Sequence, residues 1–269
     1  MDKIRVKKAS GEIEPFSETK VRQSLKRAGA KPKVINQVLS QLIGKLYDGI
    51  TTQEIYRQVF ELLNQHQAGQ GYRYSLKGAL MQLGPSGYPF EKFIARLLTH
   101  LGYKTQIQAI IQGKCIDHEV DVVATKANQR FMIECKYHNR PGTKSRSKDA
   151  LYTQARFEDL ADHFDQPWLV TNTKLTTSAI KYGQCQGMKL IAWRYPAKDS
   201  LEQLIEKNNL HPLTCLSFLD RRDRQLLYQN DLVLCQDLAQ VSKKKLTSLG
   251  LSSQKIKSLS QALSRLQPH

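Results

Sequence analysis

The apolar positions of the chain fall into three stretches with different spacings. In the first, extended runs over residues 3–8 and up to Phe16 flank a turn at Ala9-Ser10-Gly11 and predict a β-hairpin. Ser17 stands where a helix cap belongs, and Val21, Leu25 and Ala28 behind it share one helical face that ends near Gly29. After Pro32 a second helical face carries Val34, Ile35, Val38, Leu39, Leu42, Ile43 and Leu46, until Asp48-Gly49 breaks it. Thr51-x-x-Glu54 has the form of a capping box, in which each side chain takes the other's orphan backbone N–H. It opens a third helix along Ile55, Val59 and Leu62. A fourth is predicted over residues 72–83.

Gly84-Pro85-Ser86-Gly87 is the clearest punctuation in the chain and predicts a domain boundary. Beyond it Phe90, Phe93, Ile94, Leu97, Leu98 and Leu101 recur at helical spacing, with Gly102 to end the helix. The pattern then becomes strand-like over residues 103–111, 116–124 and 130–137. A helix over 150–163, a strand over 167–171, a helix over 176–182 and a strand over 188–193 come next. The order α-β-β-β-α-β-α-β predicts a mixed sheet with helices on both faces. From His211-Pro212 onward the spacing is helical again, over 221–228, 232–239, 243–249 and 253–266. The expected fold class is therefore multidomain α+β and α/β. A β-hairpin with a helical bundle occupies 1–83, a mixed-sheet core 84–210, and a small all-α domain 211–269.

Composition narrows the class. With 269 residues, 40% of them apolar, the chain is too long for a disulfide miniprotein and too apolar for a disordered tail. Its five cysteines lie twenty or more residues apart and form no C-x-x-C pair, which argues against a zinc ribbon and a disulfide framework. No uncharged apolar run is long enough for a bilayer, and Met1-Asp2-Lys3 leads into no apolar leader. A reduced, cytoplasmic protein without membrane contact is expected. The net charge of +17 changes the picture most. Residues 1–83 carry 14 basic and 7 acidic side chains, 84–210 carry 18 and 13, and 211–269 carry 9 and 4. The basic excess runs through every piece, so a polyanion, nucleic acid or nucleotide, is the natural partner.

Candidate chemistry concentrates in Ile116-Asp117-His118-Glu119-Val120-Asp121-Val122-Val123 and Phe131-Met132-Ile133-Glu134-Cys135-Lys136. Charged residues rarely sit inside strands this apolar unless they are paired or functional. Strand alternation puts Glu134 and Lys136 on one face and Ile133 and Cys135 on the other. If the two strands pair as a hairpin, Asp121 lies beside Glu134. Two carboxylates and a backbone carbonyl would then suit a hard cation that keeps some of its waters, Mg²⁺ or Mn²⁺, with the Lys136 ammonium next to that water. Glu119 shares the parity of Asp121, whereas His118 has the opposite parity and a structural reading. The bland alternative for the whole set is an ion-pair cluster on the surface of a hairpin.

Asp121…Glu134-x-Lys136 behind a helix bearing Glu91 resembles the PD-(D/E)xK nuclease superfamily. Val120-Asp121-Val122 and Glu134-Cys135-Lys136-Tyr137 resemble its Mrr-type restriction endonuclease catalytic domain in particular. Thr171-Asn172-Thr173-Lys174 and Leu190-Ile191-Ala192-Trp193 are similar to the second half of that domain. The resemblance implies a restriction-endonuclease-like αβββαβαβ core over about residues 88–210. It implies Asp121 and Glu134 as metal ligands, Lys136 as the catalytic lysine, Glu91 as an accessory acid and Gln154 as a polar residue facing the site. The sequence departs from many relatives in having Asp117-His118-Glu119, rather than glycines, before the aspartate.

Residues 3–83 resemble a different family, the ATP-cone, a nucleotide-sensing domain at the amino end of ribonucleotide reductases. The carriers are Val6-Lys7-Lys8, Gly11, Glu14-Pro15-Phe16-Ser17-Glu18-Thr19-Lys20-Val21 and Tyr47-Asp48-Gly49-Ile50-Thr51-Thr52. Lysines at a strand end and one turn into a helix, beside helix-start N–H groups, suit a triphosphate. The resemblance implies Lys7, Lys8 and Lys20 on phosphates, Glu14 and Phe16 on the nucleoside, and Thr52 closing the site over ATP or dATP. The family's Lys-Arg-Asp-Gly turn is here the longer Lys7-Lys8-Ala9-Ser10-Gly11. With no Walker motif present, nucleotide binding without hydrolysis is expected. The alternative is a cone that serves only in packing or dimerisation.

Lys243-Lys244-Lys245, Leu249-Gly250-Leu251, Lys255 and Lys257 resemble a degenerate helix-hairpin-helix, which implies a DNA-contact domain. The alternative is an amphipathic pair that buries Leu246, Leu249, Leu259 and Leu263 under a solvated basic face. The basic loop 140–148 lies next to the candidate site, either to clamp a nucleic-acid backbone or as a mobile segment. Trp168 and Trp193 read as core. The whole predicts a nucleotide-regulated, metal-dependent DNA endonuclease, a homo-oligomer whose assembly answers to ATP or dATP. Its rival is a non-catalytic, nucleotide-responsive DNA-binding regulator on a nuclease scaffold.

Overall fold

A computed structural model describes residues 4–8, 11–66, 70–140 and 142–266. The chain forms two compact units, Met1–Leu76 with Ser264–His269, and Lys77–Leu263.

In the first unit β1 (Arg5–Lys7) and β2 (Ile13–Pro15) pair antiparallel, with Val6 opposite Glu14. Residues 3, 9 and 10, the start of the expected strand and most of the expected turn, lie outside the described residues. A further strand, β3 (Ile50–Thr51), pairs parallel to β1, so the expected hairpin is the larger part of a three-stranded sheet ordered β2-β1-β3. The sequence shows no run long enough to announce β3. It forms because Ile50 is fully buried beside Val6 and because Arg5 clamps Asp48 just ahead of it. Helices α1 (Glu18–Arg27), α2 (Pro32–Ile43), α3 (Thr52–His66) and α4 (Gln70–Leu80) accompany the sheet. Ser17 caps α1 by accepting from the Lys20 N–H at 3.3 Å. The capping box at the head of α3 is formed: the Glu54 N–H donates to Thr51 Oγ1 and the Thr51 N–H to Glu54 Oε2. Leu25, Val38, Leu39, Leu42, Ile50, Val59, Leu62 and Leu63 make the core.

The second unit begins inside α4 rather than at the Gly84–Gly87 punctuation. The reason is bonding: the Thr214 hydroxyl donates to the Ala79 carbonyl and the Tyr137 hydroxyl to the Met81 carbonyl, so the end of α4 is tied to later parts of the second unit. Helix α5 (Tyr88–His100) precedes three antiparallel strands, β4 (Lys104–Gln112), β5 (Asp117–Lys126) and β6 (Gln129–Lys136). Then come β7 (Lys144–Ser145), α6 (Ser147–Asp159), β8 (Gln166–Thr171), β9 (Lys174–Leu175), α7 (Thr177–Cys185) and β10 (Lys189–Ile191). The main sheet is ordered β10-β8-β6-β5-β4, with β6, β8 and β10 parallel, so it is mixed as expected. The short parallel pair β7–β9 has no signal in the sequence pattern. It takes the second half of the basic loop 140–148, which is therefore ordered against β9 up to the start of α6.

Helix α8 (Leu201–Asn208), also absent from the sequence-based expectation, comes next with Ser200 as its cap. The carboxyl-terminal helices are α9 (Arg221–Gln229), α10 (Cys235–Ala239), α11 (Lys243–Ser248) and α12 (Ser253–Leu266). They bind α5 through ions: Lys92 meets Asp231 at 2.7 Å and Arg96 meets the buried Asp237 at 2.5 Å. That junction explains why residues on both sides of the expected break at 210/211 lie in one unit. Lys255, expected on a DNA backbone, is instead held by Asp220 and Asp223 at 2.8 and 2.5 Å. Leu246 and Leu259 are buried, while Leu249 and Leu263 are half-buried. Trp168 and Trp193 are both buried.

The end of α6 pins the β4–β5 connection. Asp159 accepts from the Cys115 N–H at 2.8 Å and the Ile116 N–H at 3.2 Å, and His118 Nε2 lies 2.8 Å from it. Hydrogen bonds from the Cys115 side chain and then His118 hold the carboxyl down at about 2. A depressed folded pKa stabilises the fold above the unfolded value of about 4, and that stability disappears as pH falls through about 2. Asp159→Ala is therefore expected to melt below wild type at pH 7, with the gap narrowing between about pH 4 and pH 2. A gap independent of pH would contradict this role.

Candidate active site

Hydrophobic strands carry the candidate acids to one end of the main sheet. β5 and β6 pair with Val122 opposite Ile133, the hairpin register that brings Asp121 beside the 134–135 segment. The Cys135 N–H donates to Asp121 Oδ2 at 2.7 Å, just where the strand ladder stops. The neighbouring ladder is also interrupted there. Ile107 pairs with Val122 and Ala109 with Val120, but Gln108 between them has φ +49° and stands outside the register. A left-handed glutamine in mid-strand is strained backbone of the kind that collects at functional sites. His118, given a structural reading from its parity, bonds Asp159 at the β4–β5 connection. No pattern in the sequence marks Gln108.

Glu134 is buried, 4% exposed, and both of its oxygens are taken. Lys136 Nζ donates to Oε1 at 2.6 Å, and the Arg156 guanidinium donates to Oε2 and to the Glu119 carbonyl. Arg156, on α6, is itself buried and is the principal site residue that sequence reasoning missed. Its only foreshadowing is its helix, where Gln154 is expected to face the site. Gln154 is buried and bonds Glu158 on the same helix at 3.1 Å, leaving Oε1 without a partner. Behind Lys136, the fully buried Asn172 bonds the His138 backbone in both directions, and Ser145 links His138 to Thr171.

The electrostatics are those of a crowded acidic site. Burial, with Asp121, Glu119 and Glu134 nearby, pushes Glu91 up to about 7, although the Gln108 side chain bonds to it. Burial and Glu134 push Asp121 up to about 6, against the Cys135 N–H, Lys136 and Arg156. Burial works to lower the Lys136 pKa, but Glu134 and, less strongly, Asp121 and Asp149 more than offset it, so the lysine stays charged.

These residues fit a hard divalent cation. The donors are carboxylate oxygens, Glu91 Oε2 is buried without any partner, and added positive charge would offset the burial and, after it, the neighbouring acids that raise Glu91 and Asp121. Among the described residues no three acidic, histidine or cysteine side chains converge into a closed metal cage.

In the first unit two cationic side chains converge on one acid. Glu14 receives Lys8 Nζ at 2.8 Å and Lys20 Nζ at 2.9 Å. Lys7, exposed, pairs with Thr51 in the register of β1 and β3, next to exposed Thr52 at the head of α3. The strand end, the first turn of α1 and the start of α3 thus meet. Phe16 is half-buried against the core rather than free at this edge.

Comparison with known proteins finds three family matches. Residues 4–73 match the ATP cone domain, 84–194 the restriction endonuclease catalytic family, and 211–266 the AF1548-like C-terminal domain. An uncharacterised protein of Archaeoglobus fulgidus is 44% identical over 163 residues, which span 60% of this chain and 92% of that protein. The crystal structure of AF1548, a protein of unknown function, aligns at 39% identity and a TM-score of 0.61. The alignment covers 67% of this chain and 98% of the other. Among the described residues no helix is long and apolar enough to cross a membrane.

Proposed function

The chain belongs to the AF1548-like family, and on that premise we propose that it is a nucleotide-regulated, divalent-metal-dependent DNA endonuclease. The observation that carries this reading is the meeting of Asp121, Glu134 and Lys136 at the end of a buried hairpin, within the segment that matches a restriction endonuclease domain. Asp121 and Glu134 are the residues to hold Mg²⁺ or Mn²⁺. When bound, such an ion supplies Lewis-acid charge at the phosphate and at the leaving oxygen. Lys136, charged and partly exposed, orients the attacking water and stabilises charge gathering on the phosphate. Water attacks phosphorus in line with the ester bond that breaks. Glu91, part-protonated near neutral pH, serves as an accessory acid, and Gln154 is the polar residue of α6 that faces the site.

In the cone, Lys7, Lys8 and Lys20 would meet the phosphates of ATP or dATP. Glu14 and Phe16 would serve the nucleoside and Thr52 the closure. Anion binding would draw Lys8 and Lys20 off Glu14. The occupied cone would then set the oligomeric state and with it the cutting of DNA.

The test is cleavage of supercoiled plasmid in Mg²⁺ or Mn²⁺, with EDTA, and with ATP or dATP added. Metal-dependent nicking that responds to nucleotide is the expected result. One observation favours a second reading, a non-catalytic DNA-binding regulator: Lys136 and Arg156 already occupy both Glu134 oxygens. Binding of DNA with no cleavage under any condition would support that reading.

A further inference from the structure

An aromatic ring stands at the lip of the proposed active site. Tyr152, on α6, is 54% exposed, and Leu151 beside it is 48% exposed. The Tyr152 ring lies 5.2 Å from Lys136 Nζ and 5.4 Å from Arg156 Cζ, so it is positioned by the two cations that hold Glu134. One turn before it on the same helix face is exposed Lys148, and Lys144 and Arg146 are exposed just ahead of the helix. Tyr152 therefore joins a cationic rim to the acidic centre.

This is the chemistry of a single-strand site. Lysines and arginines track the phosphates, and an aromatic face receives a base whatever its identity. A duplex keeps its bases stacked inside, out of reach of a ring that projects from a helix next to the phosphate-cutting residues. An unpaired base can turn outward onto that ring. We propose that Tyr152 is the stacking platform for an unpaired nucleobase next to the scissile phosphate, so that the enzyme acts on single-stranded DNA or unpaired junctions. Cutting next to the stacked base rests on the endonuclease reading; the stacking itself does not.

The test is fluorescence anisotropy with a labelled single-stranded oligonucleotide and its blunt duplex, in Ca²⁺ to suppress cutting. Wild type, Tyr152→Phe and Tyr152→Ala are compared, each shown folded by circular dichroism. Tyr152→Ala is expected to bind the single strand roughly ten- to a hundredfold more weakly, with Tyr152→Phe within about twofold of wild type and duplex binding unchanged. A 2-aminopurine placed in the single strand should be quenched by wild type and not by Tyr152→Ala. Equal single-strand affinity for all three proteins, or an equal loss on strand and duplex, overturns the proposal. If wild type cuts nothing in Mg²⁺ yet the single-strand loss appears, the platform stands and only the nuclease reading fails. If plasmid is cut and the single-strand loss is absent, the platform alone fails.

Discussion

Asp121→Asn is expected to lose two properties together: cleavage, by about a thousandfold or more, and stabilisation of the catalytic unit by Mn²⁺. The substitution keeps the volume and an oxygen for the Cys135 N–H at 2.7 Å, so the hairpin should stay folded. What it removes is one of the carboxylate charges that crowd the site. In the wild type, burial and Glu134 hold Asp121 up at about 6, against the Cys135 N–H, Lys136 and Arg156. Differential scanning fluorimetry with and without millimolar Mn²⁺, beside a cleavage assay, separates the effects. A metal-induced shift retained in Asp121→Asn would remove Asp121 from the ligand set.

Arg156→Ala is expected to be the most destabilising single change near the site. It leaves buried Glu134 with Lys136 alone and frees the Glu119 carbonyl. Removing one partner of a buried ion pair costs about 3–5 kcal/mol, and the remaining lysine places this case near the lower end, a fall in melting temperature of roughly 10 °C. Arg156→Lys should rescue little, because one ammonium does not reproduce a fork that serves a carboxylate and a carbonyl at once. A calorimetric melt decides. A lysine variant as stable as wild type would show that charge alone, not the fork, is what α6 contributes.

Much of the fold is legible in residue spacing because burial imposes it. The β5–β6 hairpin and the placing of Glu134 and Lys136 come from apolar alternation around a few charges, and the order of strands and helices from changes in period. The Thr51–Glu54 box and the Ser17 cap are local, so sequence suffices for them. Apart from α8, whose Ser200 cap is local, the omissions are non-local. β3 exists only because Ile50 finds Val6, and β7 only because it finds β9. Arg156 looks like any helix-surface arginine until α6 is laid against β6. Gln108 has a side chain with no preference for the left-handed region it occupies. Lys255 reads as a free cation because its partners, Asp220 and Asp223, are more than thirty residues away.

The most direct measurement is plasmid cleavage by wild type beside Lys136→Ala, purified in parallel and assayed in Mg²⁺ and Mn²⁺. Lys136 partly lines the surface, and its loss leaves Glu134 bonded to Arg156, so the variant should fold and bind DNA. A nuclease site at Asp121, Glu134 and Lys136 predicts cutting by the wild type and a loss of about a hundred- to a thousandfold in the variant. Equal cutting by both proteins would contradict it.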